Sequence, residues 1–201
     1  MILSDVQIHE ALDDGRLRIS PEPAPRTATI EKPDRPYSRS SVDLRLGSVL
    51  RIPQIDEGVI IDPRLGSTAE KLRTLYKREE IPAQGYILDP EHLVLGITEE
   101  EVAFALPAEF ENKAQGRPCL AARVEGKSTL ARFGLIVHLT APTIQAGYVG
   151  QITLEIRNLG KTRILLTRGM PICQLVIEEV NGTPAGGSSQ FAGQTDPAGI
   201  H

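Results

Sequence analysis

Short alternations of polar and apolar residues, cut by glycine and proline, run through most of the chain. Ser41-Val-Asp-Leu-Arg-Leu46 alternates strictly and stops at Gly47, as a half-buried strand does, and Val49 to Ile52 continues it. After Gln84 comparable runs recur: Tyr86-Ile-Leu88, Leu93-Val-Leu95, Leu120 to Val124, Leu135 to Leu139, Ile152 to Ile156, Ile164 to Leu166 and Ile172 to Ile177. Many short strands with turn signals between them predict an all-β barrel or sandwich. Helical spacing occurs twice. Ser4 and Gln7 form a capping box before Val6, Ile8, Ala11 and Leu12, with Gly15 as the stop. Ser67-Thr-Ala-Glu70 opens a second helix that sets Leu72, Leu75 and Tyr76 on one face. From Pro21 to Pro36 five prolines remove backbone donors, which predicts an extended arm or loop. From Asn181 onward small and polar residues leave little to bury. The expected organisation is one β domain over 1–180, with an N-terminal helix and arm, and a flexible tail over 181–201 that closes over a site.

At 201 residues, 40% of them hydrophobic, the chain can bury one sizeable core. A formal charge of -4 lacks the basic face that nucleic-acid polymers require. The longest apolar stretch, about seven residues near Phe133 to Leu139, falls short of the roughly twenty that span a bilayer, so no membrane partner is expected. Met1 to Asp5 has neither the basic nor the long apolar region of a signal peptide, which predicts a cytoplasmic protein. Cys119 and Cys173 have no paired spacing and read as buried reduced thiols. His9, His92 and His201 show no metal-ligand spacing, so no metal site is expected. His138 sits in an apolar run and reads as a core histidine satisfied by a backbone carbonyl.

Two segments carry candidate chemistry. Gly126-Lys-Ser-Thr-Leu-Ala-Arg132 offers two cations, Lys127 and Arg132, and two hydroxyls, Ser128 and Thr129, which suits a phosphate-bearing anion. It is not a phosphate-binding P-loop, because Ala121 stands where that pattern needs its first glycine. In Gln151 to Asn158, Ile152, Leu154 and Ile156 share one face, leaving Thr153, Glu155 and Arg157 on the other. Glu155 is the candidate base. Taken singly, it also reads as a solvated strand carboxylate, and Ser128 with Arg132 as a helix cap and a surface cation. Gln190-Phe-Ala-Gly-Gln194 offers an aromatic and two amides for a lid.

Together these segments resemble the dCTP deaminases, relatives of dUTPase. The resemblance covers Met1 to Asp5, Gly15 to Ile19, Ser41 to Gly47, Glu125 to Leu135, His138 to Ala141, Gly150 to Glu155 and Arg168 to Leu175. It implies a homotrimeric, dUTPase-like distorted β-barrel or jelly roll with a few short helices. It also implies hydrolytic deamination of dCTP to dUTP and ammonia without zinc, with Mg2+ bound only through the triphosphate and dTTP as a candidate inhibitor. The sequence permits a zinc-free route, since Pro118-Cys119 is followed at the spacing of a second zinc-binding cysteine by Ala122. By this resemblance Glu155 is the general base, Ser128 and the Ala141 carbonyl hold the attacking water, and Arg132 places charge beside them. Lys127, Ser128, Thr129, Leu130, Ala131 and Arg132 form the nucleotide-binding stretch. Thr153 and Leu154 line the pocket, Gln174 supplies an amide, and Gln190 and Gln194 belong to the tail that closes on the phosphates.

Three departures qualify the resemblance. Gln145 replaces the family's aspartate, the residue that activates water against the α-phosphate in dUTP-hydrolysing members, which predicts deamination without diphosphatase activity. Gln190 replaces a tail lysine, and the stretches 53–82 and 107–120 differ from the family's usual connections. The alternatives are a dUTP diphosphatase, a bifunctional deaminase-diphosphatase, and a nucleotide-binding regulator without turnover.

Overall fold

A computed structural model describes residues 1–27, 35–54, 59–62, 64, 66–110, 114–185 and 193–199. Helix α1 spans Asp5–Asp13, with its capping box from Ser4 and Gln7 in place and Ile8 and Ala11 buried. The strands follow as β1 (Leu17–Ser20), β2 (Tyr37–Ser38) and β3 (Ser41–Pro53). Then come α2 (Thr68–Leu75), β4 (Tyr76–Glu80), β5 (Tyr86–Leu88), β6 (Leu93–Phe104) and β7 (Leu120–Gly126). The chain continues through α3 (Ser128–Ala131), β8 (Leu135–Ile136), β9 (Thr143–Ile144), β10 (Val149–Asn158), β11 (Ile164–Leu166) and β12 (Pro171–Glu179). The expected mainly β architecture with a few short helices is what forms.

The sheet runs in the order β8-β10-β6-β3-β12-β7-β9, with β1 added to β6 and β2 and β4 to β3, while β5 and β11 form a separate pair. Strand β3 turns the corner. Val42 to Arg45 pair with β12, Leu46 to Arg51 pair with β6, and the register shifts between Leu46 and Leu50, as a bulge at a bend does. The inward residues Leu44, Leu46, Leu50, Phe104, Leu154, Ile156, Leu175 and Ile177 build one apolar core. The two end strands of the order, β8 and β9, are consecutive in sequence, so the six-residue connection 137–142 joins the sheet's two edges and closes the curl.

Several elements differ from the sequence expectation. Strand β6 runs on through Glu99, Glu100 and Glu101 because Arg45 donates to the buried Glu100 carboxylate from both its backbone N–H and its guanidinium. Tyr76 is not part of the second helical face but begins β4, which pairs with the end of β3; no residue of α2 is buried. Only Leu135 and Ile136 of the Leu135 to Leu139 run form strand. The tail also departs from its composition in part. Residues 193–199 dock on the sheet, with Gln194 and Ala198 buried and Asp196 paired bidentately to Arg51.

Candidate active site

The alternation of β10 puts Ile152, Leu154 and Ile156 in the core and leaves Thr153, Glu155 and Arg157 half-buried on the opposite face. The Glu155 N–H donates to Val137 O at 3.0 Å. The Leu139 N–H donates to Glu155 Oε2 at 2.7 Å. The connection 137–142 thus bends around this one carboxylate, and it reaches the other sheet edge through the Val124 N–H donating to Pro142 O at 2.9 Å. A charge-assisted bond to a backbone amide fixes the carboxylate's orientation. Among the described residues no side chain donates to it.

Helix α3 is a single turn, closed by the Ala131 N–H on Lys127 O at 2.9 Å. Ser128, Thr129, Ala131 and Arg132 are exposed, and Leu130 packs on the core. Arg132 donates from Nη1 to Ser128 O at 3.0 Å, and no ion pair joins it to Glu155 among the described residues. Two glycines fix this turn against the end of β10. Gly134 has φ 89°, and a Cβ there would overlap the backbone of Gly160, while one on Gly160 would overlap Phe133 O. With β8 paired to β10 at Arg157 and Asn158, the turn bearing Ser128 and Arg132 is held beside the strand that carries Glu155.

A second polar group lies across β3, β12 and β7. Asp43 is registered opposite Gln174, and Gln174 opposite Glu125. Lys127 Nζ lies 2.5 Å from Asp43 Oδ2, and Gln174 Nε2 donates to Asp43 Oδ1 at 3.2 Å. His138 Nε2 stands 3.9 Å from Glu125 Oε2, so this histidine leans on a carboxylate; among the described residues its buried Nδ1 meets no carbonyl, contrary to the sequence reading. His138 directly precedes Leu139, which links the two polar groups through one stretch of backbone.

Other expected site residues are placed differently. The Leu154 side chain is fully buried in the chain's own core and cannot line a pocket. Thr153 donates to Pro197 O at 3.3 Å, so the docked tail covers it. Gln194 is buried against the sheet, where its Nε2 donates to Gln151 O at 2.8 Å and Tyr148 Oη at 3.2 Å. Burial pushes the Tyr148 hydroxyl up to about 12, against the lowering effect of that bond from Gln194. Gln145 is exposed in the turn after β9, and Ala141 is exposed in the connection. Gln190 lies outside the described residues. Sequence reasoning missed Asp43, Glu125 and Leu139. The alternation around Asp43 marked a polar face, yet its partners lie 84 and 131 residues away. A groove of about 390 Å³ between α1, β1 and β6 lies away from these groups.

A strand carboxylate at the seam of a curled antiparallel sheet, beside a cation-bearing turn, makes a candidate active site on a mainly β protein. The sequence pattern of dCTP deaminase-like proteins matches residues 2–180. The chain is 38% identical over 175 residues to the dUMP-forming dCTP deaminase of Dictyoglomus thermophilum, covering 87% of this chain and 78% of that one. It is 36% identical over 204 residues to the dCTP deaminase of Natronomonas pharaonis, covering 98% and 92% of the two chains. The 2'-deoxycytidine 5'-triphosphate deaminase from Agrobacterium tumefaciens superposes with a TM-score of 0.58 at 21% identity over 89% of this chain, which spans about half (48%) of that one; at this identity the likeness shows the fold. The chain belongs to the dCTP deaminase-like family.

Proposed function

We propose that the protein hydrolytically deaminates dCTP, giving dUTP and ammonia, as a homotrimer with its sites between subunits. The observation that carries this reading is the Glu155 carboxylate, half-buried on β10 and oriented by the Leu139 N–H at the seam of the sheet. Glu155 takes a proton from water, the resulting hydroxide adds to C4 of the cytosine ring, and the proton passes to the amino group, which leaves as ammonia. Water is consumed and no electron changes hands. Ser128 and the Ala141 carbonyl hold the water in this reading, and Arg132 balances the charge beside it. Lys127 meets the triphosphate, and Mg2+ arrives with it. No zinc takes part in this scheme. We place the reaction in the cytoplasm, within the supply of thymidine nucleotide precursors, where dTTP is a natural inhibitor. No helix among the described residues is long and apolar enough to cross a membrane.

Replacing Glu155 with Gln keeps the shape and the acceptor for Leu139 while removing the base. Ammonia release from dCTP is expected to fall by about 10²-fold or more, with dCTP affinity within a few-fold of the unaltered chain. Retained turnover in Glu155→Gln overturns the reading.

A further inference from the structure

We infer that Asp43 is a positioning residue of the nucleotide site, one carboxylate that sets both the Lys127 ammonium and the Gln174 amide. The inference rests on the deaminase reading above and deepens it. Asp43 sits on β3 at the point registered with Gln174 on β12, and Gln174 is registered with Glu125 on β7, two residues before Lys127. Three neighbouring strands therefore bring the four polar side chains onto one face. Each Asp43 oxygen serves a different partner: Oδ2 faces Lys127 Nζ at 2.5 Å and Oδ1 accepts from Gln174 Nε2 at 3.2 Å. Only an ionised carboxylate offers two acceptor oxygens at this spacing; an asparagine would turn a donor amide toward one of the two donors.

Lys127 is also the N-cap residue of α3, and its side chain makes no capping bond. The tether to Asp43 therefore fixes the start of the turn that presents Ser128 and Arg132. The pair is mostly withdrawn from water, with side-chain exposures of 20% for Lys127 and 17% for Asp43. Desolvating two charges offsets much of their attraction, so fold stability alone is a weak reason for the pair on a strand already held by the buried Val42 and Leu44. A lysine held at one place, with 20% of its side chain still open to solvent, serves a ligand's phosphate.

The test is a double-mutant cycle of Asp43→Asn with Lys127→Met, read by calorimetric dCTP affinity and by steady-state ammonia release. In the unaltered background Asp43→Asn is expected to raise Kd and KM about 10-fold, the scale of one charge-assisted hydrogen bond, with kcat within about 3-fold. In the Lys127→Met background the same substitution is expected to change Kd less than about 2-fold, because the residue it acts through is gone. Equal factors in both backgrounds, or a loss of kcat at constant KM, overturns the inference. Should Asp43→Asn not fold, Asp43→Glu, which keeps the charge on a longer arm, is read in the same two backgrounds by the same criterion. An unaltered chain that binds no dCTP overturns the deaminase reading and this inference with it. An unaltered chain that binds and deaminates dCTP while the cycle is additive overturns this inference alone.

Discussion

Residue by residue, the carboxylate of Glu155 on β10 can do what the amide of Gln145 cannot. Glu155 can accept a proton and is held by a backbone donor, whereas Gln145, exposed after β9, has no basic oxygen with which to activate water against a phosphorus atom. The relatives carry both names, dCTP deaminase and dUMP-forming dCTP deaminase. With Gln145 native, incubation with dCTP is expected to release ammonia and accumulate dUTP, with pyrophosphate below about a hundredth of the ammonia, the scale of losing a general base. Stoichiometric pyrophosphate and dUMP would show that another group performs the second step. Cys173, by contrast, is chemically quiet: burial pushes its thiol up, which keeps the reactive thiolate scarce.

The C-terminal segment 193–199 shows how an element can be assembled from polar contacts. The Gln151 N–H donates to Gln194 O, the Gly193 N–H to Val149 O, and Asp196 takes both Arg51 Nε and Nη2 at 2.9 and 3.0 Å. Arg51 is only 7% exposed, so Asp196→Ala would strand a guanidinium that water reaches poorly. That substitution is expected to lower stability by about 3 kcal/mol, read as a fall in the urea midpoint at unchanged slope. Composition hid this docking, because counting apolar residues says nothing about a buried glutamine whose amide nitrogen makes two hydrogen bonds. Helix α1 was legible because its signals are local: a capping box, apolar residues at helical spacing and a glycine stop. Strand β4, Tyr-Lys-Arg-Glu-Glu80, was not, since it has no apolar alternation and forms by pairing with β3. Within the site, the face of Glu155 followed from period-two alternation. The Leu139 amide that orients it follows only from the closure of the sheet, and the Asp43 partners only from the strand order.

At the scale of the whole molecule, the seam between the sheet's two edges carries exposed apolar side chains near the candidate chemistry. Phe133 is 65% exposed, Leu139 45% and Leu159 48%, and all three lie on the turns that flank Glu155 and Arg132. Ser128, Arg132 and Ala141 are exposed beside these open apolar side chains. A second copy placed on this surface would cover the apolar residues and withdraw Glu155 further in one step. In the proposed homotrimer, assembly and turnover would be linked through this surface. The unaltered protein is expected to scatter light with three times the mass of one chain. Phe133→Asp sets a charge on the apolar rim without touching the core, and is expected to give single chains with unchanged circular dichroism and ammonia release reduced by about 10²-fold. A single-chain Phe133→Asp species that deaminates dCTP at the full rate would show instead that one chain alone closes its site.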